Sequence, residues 1–548
     1  MAFESTRRLS SPILCLLLAI VLAGMWLRFD DLGRMPVWYD EIATLLHLSG
    51  KTEAQLGERY DGRILHAGEL VAEYQDNARA ENAGASQASP ASIADVVRAA
   101  ATDEPQSGAL YFATASAVSA GTNDPARVRA LSATASTMSL LLFGLLAWRL
   151  FGRDTALAVV ALAAISPLEI RYAHEARPYA LCVTLLLAGA LAAHWASRAR
   201  TPSAWLLYAL CLTAALWTHP IALLAVPALL ALAAGSTSER QPLLRPQARR
   251  AAWLATTAAM VAWLPWALVC GSAYPKIQRL TSWSSETIGG AGLARGWLGA
   301  ITSLFFRPRG EGGIFPPDFF EPAITIASIL FAALAVALVL AALVAVARHP
   351  DRSTRRYVLL LALVPWLAFA ILDIGLGGRR STVPRYLIPA WVGVELAVAY
   401  WSMQSGSWRR LVLVLFLALG GVTAWHTRAA RGWWDTDVPR ILSVQQTAAA
   451  IDAMPGVVVV TDMTPLNLLE IARYLRPQTS LRLGLRAATA LAGEEWQHAV
   501  LIAPSPSLLD AMRKGASDRG ARLEKWQPEG VGHELWRVVA PTALATSS

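Results

Sequence analysis

Trp38-Tyr39-Asp40-Glu41 sets two adjacent carboxylates about ten residues beyond the first hydrophobic stretch of the chain. A carboxylate that removes a proton from a hydroxyl or amine as a new bond forms is a general base. Asp40 and Glu41, flanked by two aromatic rings, are the first candidates for that work. The alternative is a solvated acid pair. Glu104, followed by Pro105 at the far end of the same polar segment, could bring a second carboxylate near Asp40.

Two further stretches carry arginine where it needs explaining. Ser166–Tyr179 packs Arg171, His174, Glu175 and Arg177 between apolar runs, and Arg177 precedes Pro178 at the opening of the next helix. A helix N-terminus attracts anions, so phosphate binding is one reading; a structural Glu–Arg pair is the other. Gly377–Tyr386 carries Arg379, Arg380 and Arg385. Guanidinium groups grip phosphate oxygens with a forked geometry. The candidates for holding a phosphate are therefore Arg177, Arg385, Arg379, Arg380, Tyr386, His174 and Glu175. Glu395 lies about 15 Å further along the helix from Arg385, at a depth where a carboxylate needs a partner. No His, Cys, Asp or Glu spacing marks a metal centre, although a loop carboxylate could recruit a divalent cation without one. His66 and His219 read as local hydrogen-bonding residues.

The elements that must position these groups are mostly membrane spans. Of 548 residues, 55% are hydrophobic and 16% charged, against about 25% charged in soluble domains. Eleven spans are expected, at roughly 11–29, 129–149, 154–170, 178–196, 203–218, 220–235, 251–270, 322–347, 356–374, 385–402 and 410–427. Lys and Arg accumulate on the cytoplasmic side of membranes. Arg7 and Arg8, Arg149 and Arg153, Arg198 and Arg200, Arg240 to Arg250, Arg348 to Arg356, and Arg409 and Arg410 all fall on one side if the N-terminus is inside. The segment 30–108 then lies outside, with 14 acids against 6 bases, and the C-terminus is outside too. The net charge of +9 belongs to these loops and does not point to nucleic acid. The first span reads as an uncleaved anchor. Segments 109–122 and 293–306 are expected to be helices on the outer membrane surface. The four cysteines fall in or beside apolar stretches and read as packing residues.

After about residue 430 the pattern changes to short apolar runs at 457–461, 499–503 and 535–539, alternating with helical patterns at 466–475 and 507–517. That alternation suggests a small α/β domain. The expected division is a membrane domain over 1–430, with outer loops 30–128 and 271–321, and an outer α/β domain over 431–548. No G-x-G-x-x-G or P-loop sequence marks a nucleotide site.

The Asp40-Glu41 pair, Glu104-Pro105-Gln106 with Tyr111, Arg149-Leu150-Phe151-Gly152, Tyr172–Tyr179 and Pro384-Arg385-Tyr386-Leu387 together resemble the bacterial GT-C glycosyltransferases. The branch is the one related to protein O-mannosyltransferases and the lipid A aminoarabinose transferase. The resemblance covers roughly residues 8–427. It departs where many relatives read Pro-Pro-Leu-Tyr-Tyr and this chain reads Ser107-Gly108-Ala109-Leu110-Tyr111-Phe112. It implies a polyprenyl-phosphate-linked sugar donor and transfer at the outer face of a bacterial inner membrane. The acceptor would be a glycan, lipid or protein. In such enzymes the first-loop Asp is the base, which maps onto Asp40, and outer arginines hold the donor phosphate, which maps onto Arg177 and Arg385. The rival reading is a transporter or flippase of a lipid-linked sugar, which also needs an outer phosphate site.

Overall fold

The computed structural model describes residues 11–74, 91–119, 124–235, 245–306, 322–429 and 438–539. Arg7, Arg8 and Arg240 of the charge pattern, and residues 307–321 of the second outer loop, lie outside the described residues. The chain divides into two compact units. One comprises Met1–Leu32, Glu104–Tyr111 and Arg129–Ala430; the other comprises Gly33–Asp103, Phe112–Val128 and Arg431–Ser548.

The first unit is helical. All eleven expected spans contain helix, but they differ in kind. Among the described residues, six helices are long and apolar enough to cross a membrane: Pro125–Phe151, Tyr179–Ala199, Pro246–Ser272, Ile329–Ala347, Arg352–Leu376 and Ser407–Trp425. Arg153–Ile165 and Pro167–Ala173 form a pair bent by 60°, which can count as a seventh. The stretches at 11–29, 203–218, 220–235 and 385–402 give shorter apolar helices. Two of them begin as tight 3-10 turns, Pro220–Ala225 and Pro384–Leu387. Proline near each start supplies no N–H and needs none there.

The bend has a visible cause and a visible remedy. Pro167 cannot donate to the Ala163 carbonyl, so the helix breaks after Ile165 and leaves carbonyls open. Arg28 fills the gap. Its Nη2 donates to Ala163 O at 2.8 Å and its Nη1 to Ala164 O at 2.7 Å and Gly24 O at 2.9 Å. Its Nε donates to Ser136 Oγ at 2.8 Å. The side chain is fully enclosed. Gly24 allows the approach, since a Cβ there would collide with the Ala164 carbonyl. The helix Ile388–Ser402 is buried along nearly its whole length, as a helix apolar on every face except at Glu395 should be in a bundle. Its Glu395 has one cation, Arg28, and one further acid, Glu169, within electrostatic reach.

The second unit is an α/β structure on a six-stranded sheet. Its strands are β1 (Ile64–His66), β2 (Val458–Thr461), β3 (Ser480–Leu483), β4 (Ala499–Ile502), β5 (Arg522–Trp526) and β6 (Leu535–Val539), in the order β1-β3-β2-β4-β6-β5. β3, β2 and β4 are parallel; β1, β6 and β5 join antiparallel. The apolar β2 and β4 are buried along their length and pack with Trp496, Leu508 and Met512. The helices Pro465–Ala472 and Pro506–Ser517 occupy the expected positions.

The expected boundary at 430 coincides with the division between Ala430 and Arg431, but the segments on the second side differ. Segment 33–103, assigned to the membrane domain, belongs with the C-terminal residues. β1 pairs with β3, with Leu65 opposite Leu481. The Tyr474 hydroxyl meets the Val37 amide at 3.1 Å, and the Tyr60 hydroxyl donates to Met463 O at 2.7 Å. Gly68 N donates to Pro477 O at 2.9 Å. A three-residue strand carries no readable period; β1 exists because the β3 edge offers it hydrogen bonds.

Candidate functional site

In the second unit, Asp40 and Glu41 stand in the first turn of the helix Tyr39–Leu48. The Trp38 carbonyl accepts from the amides of Glu41 and Ile42, both at 2.9 Å. The helix dipole favours negative charge in that turn. The two carboxylates are not equivalent. Glu41 is fully enclosed, whereas Asp40 keeps part of its surface. A base must reach its proton, so Asp40 is the better placed of the two. The rest of the helix is buried and its end is pinned: His47 Nε2 lies 3.8 Å from Asp103 Oδ2, and the His47 ring meets Phe112 edge-on at 5.4 Å. Asp103 also accepts from Glu53 N at 2.7 Å.

In the first unit, Ser166–Tyr179 forms several buried bonds. Arg171 Nε donates to Glu175 Oε1 at 2.7 Å, which is the structural Glu–Arg pair weighed above. His174 Nε2 lies 2.7 Å from Leu27 O. Arg177 and Glu104 form a two-pronged ion pair: Nη1 donates to Oε2 at 3.0 Å and Nη2 donates to Oε1. Ser107 Oγ donates to the same Oε1 at 2.9 Å. Glu104 is held in place by its surroundings, with Gly108 N donating to Thr218 O at 3.1 Å and Cys270 Sγ to Pro105 O at 3.1 Å. Two residues assigned to separate tasks, a second carboxylate and a phosphate ligand, are thus each other's partners.

The third stretch is organised by a residue that sequence reasoning missed. Asp373, buried at the end of the helix Arg352–Leu376, accepts from Ser381 N at 2.6 Å, Ser381 Oγ at 2.7 Å and Arg380 Nη1 at 3.0 Å. Arg380 also donates to Gly377 O at 2.9 Å and Ser285 Oγ at 2.5 Å. Gly377 and Gly378 take φ of +77° and +134°, conformations that side chains resist. The resulting turn sets Arg379 over the Trp283 ring at 5.4 Å. Arg385 comes over the same indole at 5.2 Å and over Tyr386 at 5.9 Å. Tyr386 in turn packs on Trp283 and Phe369.

Stacking occupies the faces of a guanidinium and leaves its in-plane N–H groups for hydrogen bonds. The Nε of Arg379 is buried with no hydrogen-bond partner among the described residues. Arg380, by contrast, is engaged with Asp373. Arg385 and Arg177 both lie within electrostatic reach of His219, whose ring packs near Tyr179. His219 Nδ1 itself accepts from Ile221 N at 3.2 Å, the local hydrogen bond expected of it. Trp283 carried no signal in the sequence. Asp373 did, as a carboxylate inside an otherwise apolar span. Among the described residues, no group of three or more His, Cys, Asp or Glu side chains could hold a metal ion.

No family model matches the chain, and no curated protein matches it by sequence. Among solved structures, it is similar to ArnT from Cupriavidus metallidurans bound to undecaprenyl phosphate. The identity is 13%, the match covers 96% of this chain and 98% of that one, and the TM-score is 0.45. The apo form of the same ArnT matches at 15% identity over 96% and 98%, with a TM-score of 0.40. An oligosaccharyltransferase from Archaeoglobus fulgidus, tethered with an acceptor peptide, matches at 12% identity over 85% of this chain and 64% of that one, with a TM-score of 0.40.

Proposed function

We propose that this chain is an integral-membrane glycosyltransferase whose donor is a sugar linked to a polyprenyl phosphate. The observation that carries the reading is the shared indole of Trp283, with the guanidinium groups of Arg379 and Arg385 lying over it at 5.4 and 5.2 Å. Paired guanidiniums on an aromatic platform suit a phosphate, and the apolar helices beside them suit its lipid tail.

The reaction is a single displacement at the anomeric carbon. The acceptor oxygen or nitrogen attacks that carbon, and Asp40 takes the acceptor's proton. The bond from the carbon to the phosphate oxygen breaks, and the lipid phosphate leaves with the electron pair. Arg385 and Arg379 stabilise the charge that develops on the leaving group, and Arg177 contributes from the same neighbourhood. The product has inverted configuration. The site faces the outer side of a bacterial inner membrane, with the N-terminus on the cytoplasmic side, in keeping with the distribution of arginine between loops.

The test is release of free lipid phosphate by the purified protein in detergent, using a panel of polyprenyl-phosphate sugars and candidate acceptors. Wild type releases it, and Arg385→Ala both needs more donor and releases it more slowly at saturation. A product that retains its anomeric configuration rules out the single displacement. Saturable donor binding without transfer to any acceptor favours a flippase.

A further inference from the structure

We infer that Asp373 is a positioning residue for the donor phosphate: without touching the ligand, it holds the turn that keeps Arg379 on Trp283. The inference rests on the donor reading above and deepens it.

The turn 377–382 has few ways to stay folded on its own. Two consecutive glycines with positive φ give it freedom, and its arginines repel one another. What restrains it is one buried carboxylate. Asp373 Oδ2 accepts from both the amide and the hydroxyl of Ser381, and Oδ1 accepts from Arg380. The hydroxyl of Ser381 is held from the other side by Trp297 Nε1 at 2.9 Å. The amide of Arg379 donates to Ser284 O at 2.8 Å, beside Trp283. Asp373 thus fixes the residues that follow Arg379, and the Ser284 contact fixes Arg379 itself. Between them they set the guanidinium on the ring. The carboxylate also neutralises Arg380, the member of the run that lies in its grip. It thereby assigns different work to two adjacent arginines: Arg380 closes the turn and Arg379 is left for the ligand. The space is tight, since a Cβ on Gly378 would stand 2.7 Å from Asp373 Oδ1 and would press on Arg380 Nη1.

The experiment is a double-mutant cycle in the full-length protein, read by binding of undecaprenyl phosphate alone and by donor KM and kcat. Asp373→Ala weakens undecaprenyl phosphate binding about tenfold and lowers kcat/KM for the donor by at least a similar factor, because the arginine it positions both binds the donor phosphate and stabilises its developing charge. In an Arg379→Ala background the same substitution has almost no further effect, because the group it positions is gone. Gly378→Ala, which disturbs the turn from the opposite side, reproduces the Asp373→Ala shift and serves if that variant does not fold. Asp373→Asn, which keeps an acceptor for Ser381, recovers part of the affinity. Additive losses from Asp373→Ala and Arg379→Ala overturn the positioning role, as does wild-type affinity in Asp373→Ala. If the wild type itself fails to bind undecaprenyl phosphate, or Arg379→Ala and Arg385→Ala both bind it as wild type does, the donor reading fails instead.

Discussion

Glu104 and Arg177, separated by 73 residues, meet as a buried ion pair with two hydrogen-bonding prongs. Removing one member of such a pair strands the other, at a cost of about 3–5 kcal/mol. Glu104→Ala and Arg177→Ala should each lower the unfolding temperature in detergent. The double variant should lose less than the sum of the two. Additive losses would show that the pair does not couple the residues.

Asp40 and Glu41 should separate by kind of defect. Asp40→Asn should cut turnover by about 10²–10⁴-fold with undecaprenyl phosphate binding and thermal stability unchanged. Glu41→Ala, at a fully enclosed position, should lower stability. A turnover loss in Glu41→Gln as large as that in Asp40→Asn, at unchanged stability, would move the base to Glu41.

Arg28 bonds the Ala163 and Ala164 carbonyls at the break before Pro167 and lies within electrostatic reach of the buried Glu169 and Glu395. Arg28→Leu should therefore destabilise the first unit by about 3–5 kcal/mol, seen as a loss of folded protein in detergent. Arg28→Lys should rescue little, because a single ammonium cannot span the same carbonyls and Ser136.

Gly68 faces Pro477, where a new Cβ would stand 2.8 Å from the proline ring. Gly68→Val should cost about 1–3 kcal/mol. Hydrogen exchange should then accelerate at residues 479–483, the edge that β1 protects, and leave 499–502 as protected as before.

Asp351 caps the helix Arg352–Leu376. Its partial burial acts to raise the carboxyl's pKa, but hydrogen bonds from Thr354 and Ser353 outweigh this and hold it below the usual value. Its contribution is thus present above the unfolded-state pKa of about 4 and is lost as pH falls through the lower folded value. Asp351→Ala should cost about 1 kcal/mol at neutral pH and should remove that part of the acid sensitivity. An unchanged acid profile would count against the cap.

The helical character of the first unit and the whereabouts of its candidate groups were legible because lipid imposes long apolar runs and makes misplaced arginines conspicuous. Each apolar stretch became helix, and the strands β2, β4 and β6 formed where short β-branched or apolar runs stood. What the pattern overstated was length. Proline at 167 bends an element whose hydropathy reads as continuous, and the stretches opening at Pro220 and Pro384 spend their first turns as 3-10 helix.

Composition and spacing by themselves determined which segments are apolar, which carry charge, and which few residues could act on a phosphate or a proton. Only the tertiary structure decided which charges oppose each other. Val37 meets Tyr474 across 437 residues of sequence, Arg177 is matched to Glu104, and Asp373 takes Arg380 while Arg379 goes to an indole. Local pattern records what a residue's own turn or strand requires. A pairing between distant segments depends on which surfaces the fold brings together, and that information resides in no single stretch of the chain.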